Sequence, residues 1–298
     1  MKARWPLDKF VSDQAAGLRR LLGQTGFQVI TVMSGQPGAG KTAATANLAV
    51  ALARSGRDVL IVDQDRHGRG ACAALGLTPR HDVADVLAGH CALDALILAG
   101  PENVQVLPIG GGFKRLGKLS GRDQERLAQS FNRLQCGVDV VLVDMEEATD
   151  PDALPLGLAA SEIMVVLPPG NTAITQAYTL VKRLAQNFGK RQFRLLLNRI
   201  ESPAQAQAVA GNFSRTAEQY LGVSVDYLGY IPLDERLTHA GHLRTSVVEA
   251  FPVAQSTSHF RKLADGLLRW PQPASLGSVG GFMQRVIEGG RLVEACRR

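Results

Sequence analysis

Short, almost unbroken apolar runs alternate with longer stretches of helical periodicity along most of this 298-residue chain. The apolar runs cover Phe27–Met33, Asp58–Asp63, Val104–Pro108, Val138–Asp144, Glu162–Leu167, Phe193–Asn198 and Val225–Tyr230. A strand covered on one face alternates apolar with polar residues, whereas a strand covered on both faces is apolar throughout. These runs therefore predict a parallel sheet sandwiched between helices. Helical patterns fill the gaps over Lys41–Ser55, Asp82–Ala88, Arg122–Gln135, Thr172–Phe188, Pro203–Leu221 and Thr257–Leu268. Such alternation predicts an α/β fold with a doubly wound, mostly parallel sheet, and it puts functional loops at the carboxyl ends of the strands.

Two segments lie outside the alternation, dividing the chain into an N-terminal segment (1–24), a core domain (25–269) and a linker with tail (270–298). In the first, Leu7, Phe10, Val11, Leu18, Leu21 and Leu22 recur at helical spacing, the mark of an amphipathic helix. In the last, Trp270–Gly281 is rich in Pro, Ser and Gly, as linkers are. Beyond it, Phe282, Met283, Val286, Ile287 and Val293 share a face with arginines around them. That face suits an anionic membrane surface, reached through residues 281–298, or burial on the core. No run of about 18 apolar residues exists, so no membrane-spanning helix is expected. The charged N-terminus lacks an apolar signal core, and the four cysteines form no C-x-x-C pair. Both fit a cytoplasmic protein with reduced thiols, peripheral at most on the inner face of the cell membrane. The net charge of +6 is mild, and Lys114, Arg115, Lys118 and Arg122 lack interleaved aromatic residues, so no specific nucleic-acid binding is expected.

The strongest chemical signal follows the first apolar run. Gly35-Gln36-Pro37-Gly38-Ala39-Gly40-Lys41-Thr42 fits G-x-x-x-x-G-K-[ST] between a predicted strand and a predicted helix, the context of a phosphate-binding loop. Glycines let backbone N–H groups turn toward phosphate oxygens, and the helix N-terminus adds partial positive charge. Lys41 would reach the outer phosphates and the Thr42 hydroxyl would ligate magnesium. The second run ends in Asp63-Gln64-Asp65, whose two carboxylates share a face. They suit either water positioning and magnesium-side chemistry or plain helix capping. The fourth run ends in Asp144, the usual site of a magnesium-side carboxylate in phosphate-loop proteins.

Over about Phe27–Leu268 the chain resembles the MinD/ParA branch of phosphate-loop ATPases. The loop with Lys41-Thr42, Asp63-x-Asp65, Asp144, Asn198 in LLLNRI and Gly229-Tyr230-Ile231-Pro232 carry the resemblance. It implies ATP/ADP binding with Mg2+, slow hydrolysis and a face-to-face homodimer with ATP. It further implies that Lys41, Thr42 and Asp144 serve phosphates and magnesium, with Asp63 on the metal side. Lys41 and Asp65 would be catalytic, Asp65 by positioning the water. Asn198 would contact adenine and Pro232 would lie in the loop flanking it. Asn198-Arg199-Ile200-Glu201 lacks the terminal Asp of a guanine-reading motif, which favours adenine.

A narrower likeness lies at Asp13-Gln14-Ala15-Ala16-Gly17-Leu18-Arg19, which resembles the D-Q-A-x-x-L-R activator helix of the FlhG (FleN) flagellar-number regulators. The resemblance implies that Asp13, Gln14, Leu18 and Arg19 stimulate an FlhF-like GTPase partner, with Gln14 entering near its nucleotide. Flagellar switch or transcription-regulator proteins are further implied partners, and the C-terminal segment corresponds to a membrane-targeting one. Against the branch pattern, Gln36 replaces the early lysine of K-G-G-x-G-K-T and Pro37 removes a backbone donor. The segment Arg66-His67-Gly68-Arg69-Gly70 and the switch Asp144-Met145-Glu146-Glu147-Ala148 also depart from it. These departures predict nucleotide binding with weakened or lost hydrolysis.

Overall fold

Eight strands hydrogen-bond into one sheet of order β3-β4-β2-β5-β1-β6-β7-β8 in the computed structural model. The structure describes residues 28–65, 67–110, 121–133, 138–146, 154–270, 281–282 and 285–286. Its strands are β1 (Gln28–Met33), β2 (Val59–Asp63), β3 (Leu98–Ala99), β4 (Val104–Pro108), β5 (Val140–Asp144), β6 (Glu162–Leu167), β7 (Gln192–Ile200) and β8 (Ser224–Pro232). Every pairing is parallel except that of the two-residue edge strand β3 with β4. The helices are α1 (Lys41–Arg54), α2 (Ala71–Ala74), α3 (Val83–Leu87), α4 (Gly121–Arg133), α5 (Leu154–Leu158), α6 (Asn171–Phe188), α7 (Pro203–Leu221), α8 (Glu235–His242), α9 (Val247–Ala250) and α10 (Gln255–Leu268), with a 3-10 turn at Leu93–Leu96.

The doubly wound, mostly parallel arrangement matches the pattern of apolar runs. Within β1, Val29 and Met33 face one layer while Ile30 and Val32 face the other, and all four are fully buried. On the Val29 side lies α6, whose buried Ala177, Leu180, Val181 and Leu184 recur at helical spacing. On the Ile30 side lies α1, which packs against α10 and is buried almost all round. A helix enclosed by both sheet and helix needs small and apolar residues throughout, which its Ala-rich sequence supplies.

Strands β7 and β8 run further than their apolar cores suggested. Asn198 thus lies two residues inside β7, and Pro232 ends β8, paired beside Ile200, instead of lying in the following loop. The chain also returns to the core after α10. Trp270 joins the Ile30-side layer, with the Arg194 guanidinium 4.6 Å over its ring, while Phe282 and Val286 are buried in the Val29-side layer. Of the five tail residues whose shared apolar face suited either lipid or the core, these two are inside the molecule, and core packing extends past residue 269. Among the described residues no helix is long and apolar enough to cross a membrane.

Candidate nucleotide site

The loop between β1 and α1 turns on two left-handed glycines, Gly38 (φ 71°) and Gly40 (φ 93°), and Gly40 caps α1. Two glycines are fixed by close approach. A Cβ on Gly35 would stand 2.3 Å from the Gln176 carbonyl carbon in α6, and one on Gly40 would stand 2.1 Å from Asn198 Nδ2. Asn198 is buried beneath the loop. Its Nδ2 donates to the Ala39 carbonyl at 2.8 Å and its Oδ1 accepts from Arg199 N at 2.9 Å. The residue expected at adenine therefore also shapes the phosphate loop. Ser34 Oγ closes the other limb by donating to the Gln36 carbonyl at 2.7 Å.

Lys41 and Thr42 open α1 and converge on Asp144 at the end of β5. The Thr42 hydroxyl hydrogen-bonds Asp144, and the Lys41 charge acts on it. Burial raises the Asp144 carboxyl to about 7, the nearby Asp63 charge adds to this, and Thr42 and Lys41 oppose it. Asp63 sits in register with Asp144 on neighbouring β2. One Asp144 oxygen, Oδ1, is buried without a hydrogen-bond partner. A buried acceptor left unmade is costly, and a carboxylate oxygen beside a Thr hydroxyl is the hard oxygen pair that Mg2+ takes. These residues fit the ion.

Asp63 and Asp65 both accept from nearby backbone N–H groups in this structure, and Asp63 alone reaches a helix. Asp63 Oδ1 accepts from Asp65 N at 3.0 Å and Oδ2 accepts from Cys72 N at 2.8 Å, in the first turn of α2. Burial raises the Asp63 carboxyl, and these backbone bonds hold it back. Gly70 leaves the room, since a Cβ there would meet Asp63 Oδ1 at 2.2 Å. Asp65 Oδ2 accepts from His67 N at 3.0 Å and Arg69 N at 2.6 Å. Both carboxylates stand beside the site and hold their own loop.

Three further residues join the loops at this end of the sheet. Buried Gln64 donates its N–H to the Asp144 carbonyl at 3.2 Å and accepts from Glu146 N at 3.3 Å through Oε1. His67 Nε2 lies 3.1 Å from Glu146 Oε1. A polar Gln between two site aspartates was a readable signal for the first. No pattern in one sequence links residue 67 to residue 146. Asp13, Gln14, Leu18, Arg19, Glu147 and the basic stretch at 114–118 lie outside the described residues, and no group of three or more metal-binding side chains occurs among those described.

Residues 30–244 match the CobQ/CobB/MinD/ParA nucleotide-binding domain. The chain is 34% identical over 262 residues to the antiactivator FleN of Pseudomonas aeruginosa, covering 88% of this chain and 94% of that one. It belongs to the CobQ/CobB/MinD/ParA family, in its FlhG/FleN branch. Several MinD proteins are similar as well. The septum site-determining protein MinD of Synechocystis is 27% identical over 216 residues, 70% of this chain and 77% of its own. The MinD of Pyrococcus horikoshii, solved as a complex with Mg-ADP, superposes with a TM-score of 0.63 at 26% identity, covering 81% of this chain and 96% of that one. The MinD of Aquifex aeolicus shares the fold with a TM-score of 0.64 at 22% identity, covering 83% and 98%.

Proposed function

We propose that this protein is a Mg-ATP-binding regulator of flagellar number and placement that hands its N-terminal helix to an FlhF-like GTPase. The observation that carries the reading is the identity with antiactivator FleN over almost the whole chain. The loop supports its nucleotide half: left-handed Gly38 and Gly40 precede a helix that begins with Lys41 and Thr42, facing an Asp144 oxygen that lacks a partner. Residues 35–42 would hold the phosphates by backbone N–H groups, with Lys41 neutralising the outer ones. Thr42 and Asp144 would hold Mg2+, and Asp63 would support them from the adjacent strand. When bound, the ion would draw charge from the phosphate oxygens. Asn198 retains a second amide proton for adenine, beside Pro232 at the end of β8.

Hydrolysis is weak in this reading, because Asp65 is turned onto its own backbone and Gln36 brings no charge to a second nucleotide. The homodimer with ATP is correspondingly fragile. The activator is Asp13-Gln14-Ala15-Ala16-Gly17-Leu18-Arg19, in which the Gln14 amide both donates to and accepts from an attacking water in the partner. Residues 281–298 touch the inner membrane face only when the buried Phe282 and Val286 leave the core. Flagellar switch or transcription-regulator proteins complete the partner set.

Equilibrium binding of labelled ATP and ADP with magnesium tests the nucleotide half. Wild type is expected to bind both and Lys41→Ala to lose most of the affinity; equal affinity in the two would refute the loop assignment. GTP turnover by the partner, measured with peptide 1–23 and with its Gln14→Ala form, tests the other half. Stimulation by the first peptide alone is the expected outcome.

A further inference from the structure

The loop after β2 and the loop after β5 both depart from the family pattern, and the departing residues meet each other. His67 Nε2 stands 3.1 Å from Glu146 Oε1, a donor–acceptor pair whether the ring is neutral or charged. The Glu146 N–H donates to Gln64 Oε1, and Gln64 N donates to the Asp144 carbonyl. Through its own backbone N–H, His67 also donates to Asp65 Oδ2, which accepts from Arg69 N as well. One residue thus grips the water-positioning candidate with its main chain and the opposite switch with its ring. Two backbone N–H bonds to Oδ2 hold the Asp65 carboxylate against its own loop, and the group must turn before it can orient a water elsewhere.

We propose that Gln64, His67 and Glu146 form a latch between the two switch loops, holding Asp65 on its own backbone and keeping ATP turnover slow. This rests on the nucleotide site proposed above. The Glu146 side chain is 18% exposed and the His67 side chain 58%, so the pair is partly screened and its share of the latch is modest. Gln64, buried between the strand ends, fixes the Glu146 backbone and aims its side chain toward His67. The latch acts on the position of Asp65 and not on the phosphates, so it affects the chemical step while leaving ADP affinity alone.

The test compares full-length wild type, His67→Ala, Glu146→Ala and the double variant by steady-state ATP hydrolysis and by Mg-ADP titration. Glu146→Ala keeps the backbone N–H bond to Gln64 and removes the acceptor that faces His67. Expected is a rise in kcat of about two- to five-fold in each single variant, the range open to a partly exposed hydrogen-bonded pair. The double variant should exceed neither single one, because both break the same contact, and Mg-ADP affinity should stay within about twofold. Unchanged or slower turnover in either single variant, or additive gains in the double one, would overturn the latch. Wild type that fails to bind Mg-ADP would instead bring down the nucleotide site and the latch with it.

Discussion

A methyl group on Gly40 would have nowhere to go, since it would stand 2.1 Å from Asn198 Nδ2 on a backbone already at φ 93°. Gly38, two residues earlier, has a similar left-handed φ of 71° but open space around it. The pair separates strain from clash. Gly38→Ala should cost about 1–2 kcal/mol, the penalty of a left-handed non-glycine residue, and retain Mg-ADP binding. Gly40→Ala should cost more and lose binding, because either Asn198 or the loop must move. Urea unfolding and nucleotide titration of both variants read the contrast. Asn198→Ala leaves the Ala39 carbonyl without its donor in a buried setting and should destabilise by about 1–3 kcal/mol. Asn198 stood out in the sequence as a site residue, but its hold on the loop did not, because that bond spans 159 positions of chain.

At the scale of elements, Asp234 joins two helices. It caps α8 by accepting from Arg236 N at 2.9 Å, and it accepts from Ser256 N at 2.9 Å and Ser256 Oγ at 2.7 Å in the first turn of α10. Burial pushes its carboxyl up, but these bonds and the Arg236 charge win and hold it below the ordinary range. A depressed carboxylate contributes stability that is present above its unfolded value of about 3.9 and lost as pH falls through the folded value. Asp234→Asn should therefore lose about 0.3–1 kcal/mol at pH 7, the value of a carboxylate at a helix N-terminus, and the gap to wild type should close in acid as pH falls through the folded value. Denaturant unfolding at the two pH values measures it. Caps of this kind also explain which elements the pattern revealed. Helix α3 was expected over Asp82–Ala88, and Asp82 with Asp85 forms a capping box at its start. The four- and five-residue helices α2, α5 and α9 are too short for a 3.6-residue period to repeat, so no pattern marked them. Strand β3 has only two residues and exists through its pairing with β4, a contact invisible in local sequence. The long strands were legible because burial on both faces writes itself into every residue.

For the whole molecule, the open question in the sequence was where the tail spends its apolar face. Phe282 and Val286 answer for this structure, being buried in the Val29-side layer. Between them, Arg285 lies close enough to Lys190 to act on it: burial depresses the Lys190 ammonium and the Arg285 charge depresses it further, while Lys190 Nζ donates to the Leu158 carbonyl at 2.8 Å. Docking the tail thus gains apolar burial, about 1.5–3 kcal/mol for each large side chain before the cost of ordering, and brings two like charges together. The same face cannot lie in lipid and in the core at once, so under the proposed membrane role vesicle binding would compete with tail docking. Removing the repulsion should favour docking. Lys190→Glu is expected to lower co-sedimentation with phosphatidylglycerol vesicles by about two- to five-fold, the range of a partly screened charge pair. The substitution also removes a cation that could itself attract anionic lipid, so the decisive comparison repeats it in a chain ending at Trp270. There it should have no effect. Phe282→Ser with Val286→Ser should lower both vesicle binding and the melting temperature, at about 2–4 °C for each kcal/mol of docking lost. A tail that served lipid alone would lose vesicle binding in that double variant with its melting temperature unmoved, and Lys190→Glu would then act equally in the full and shortened chains.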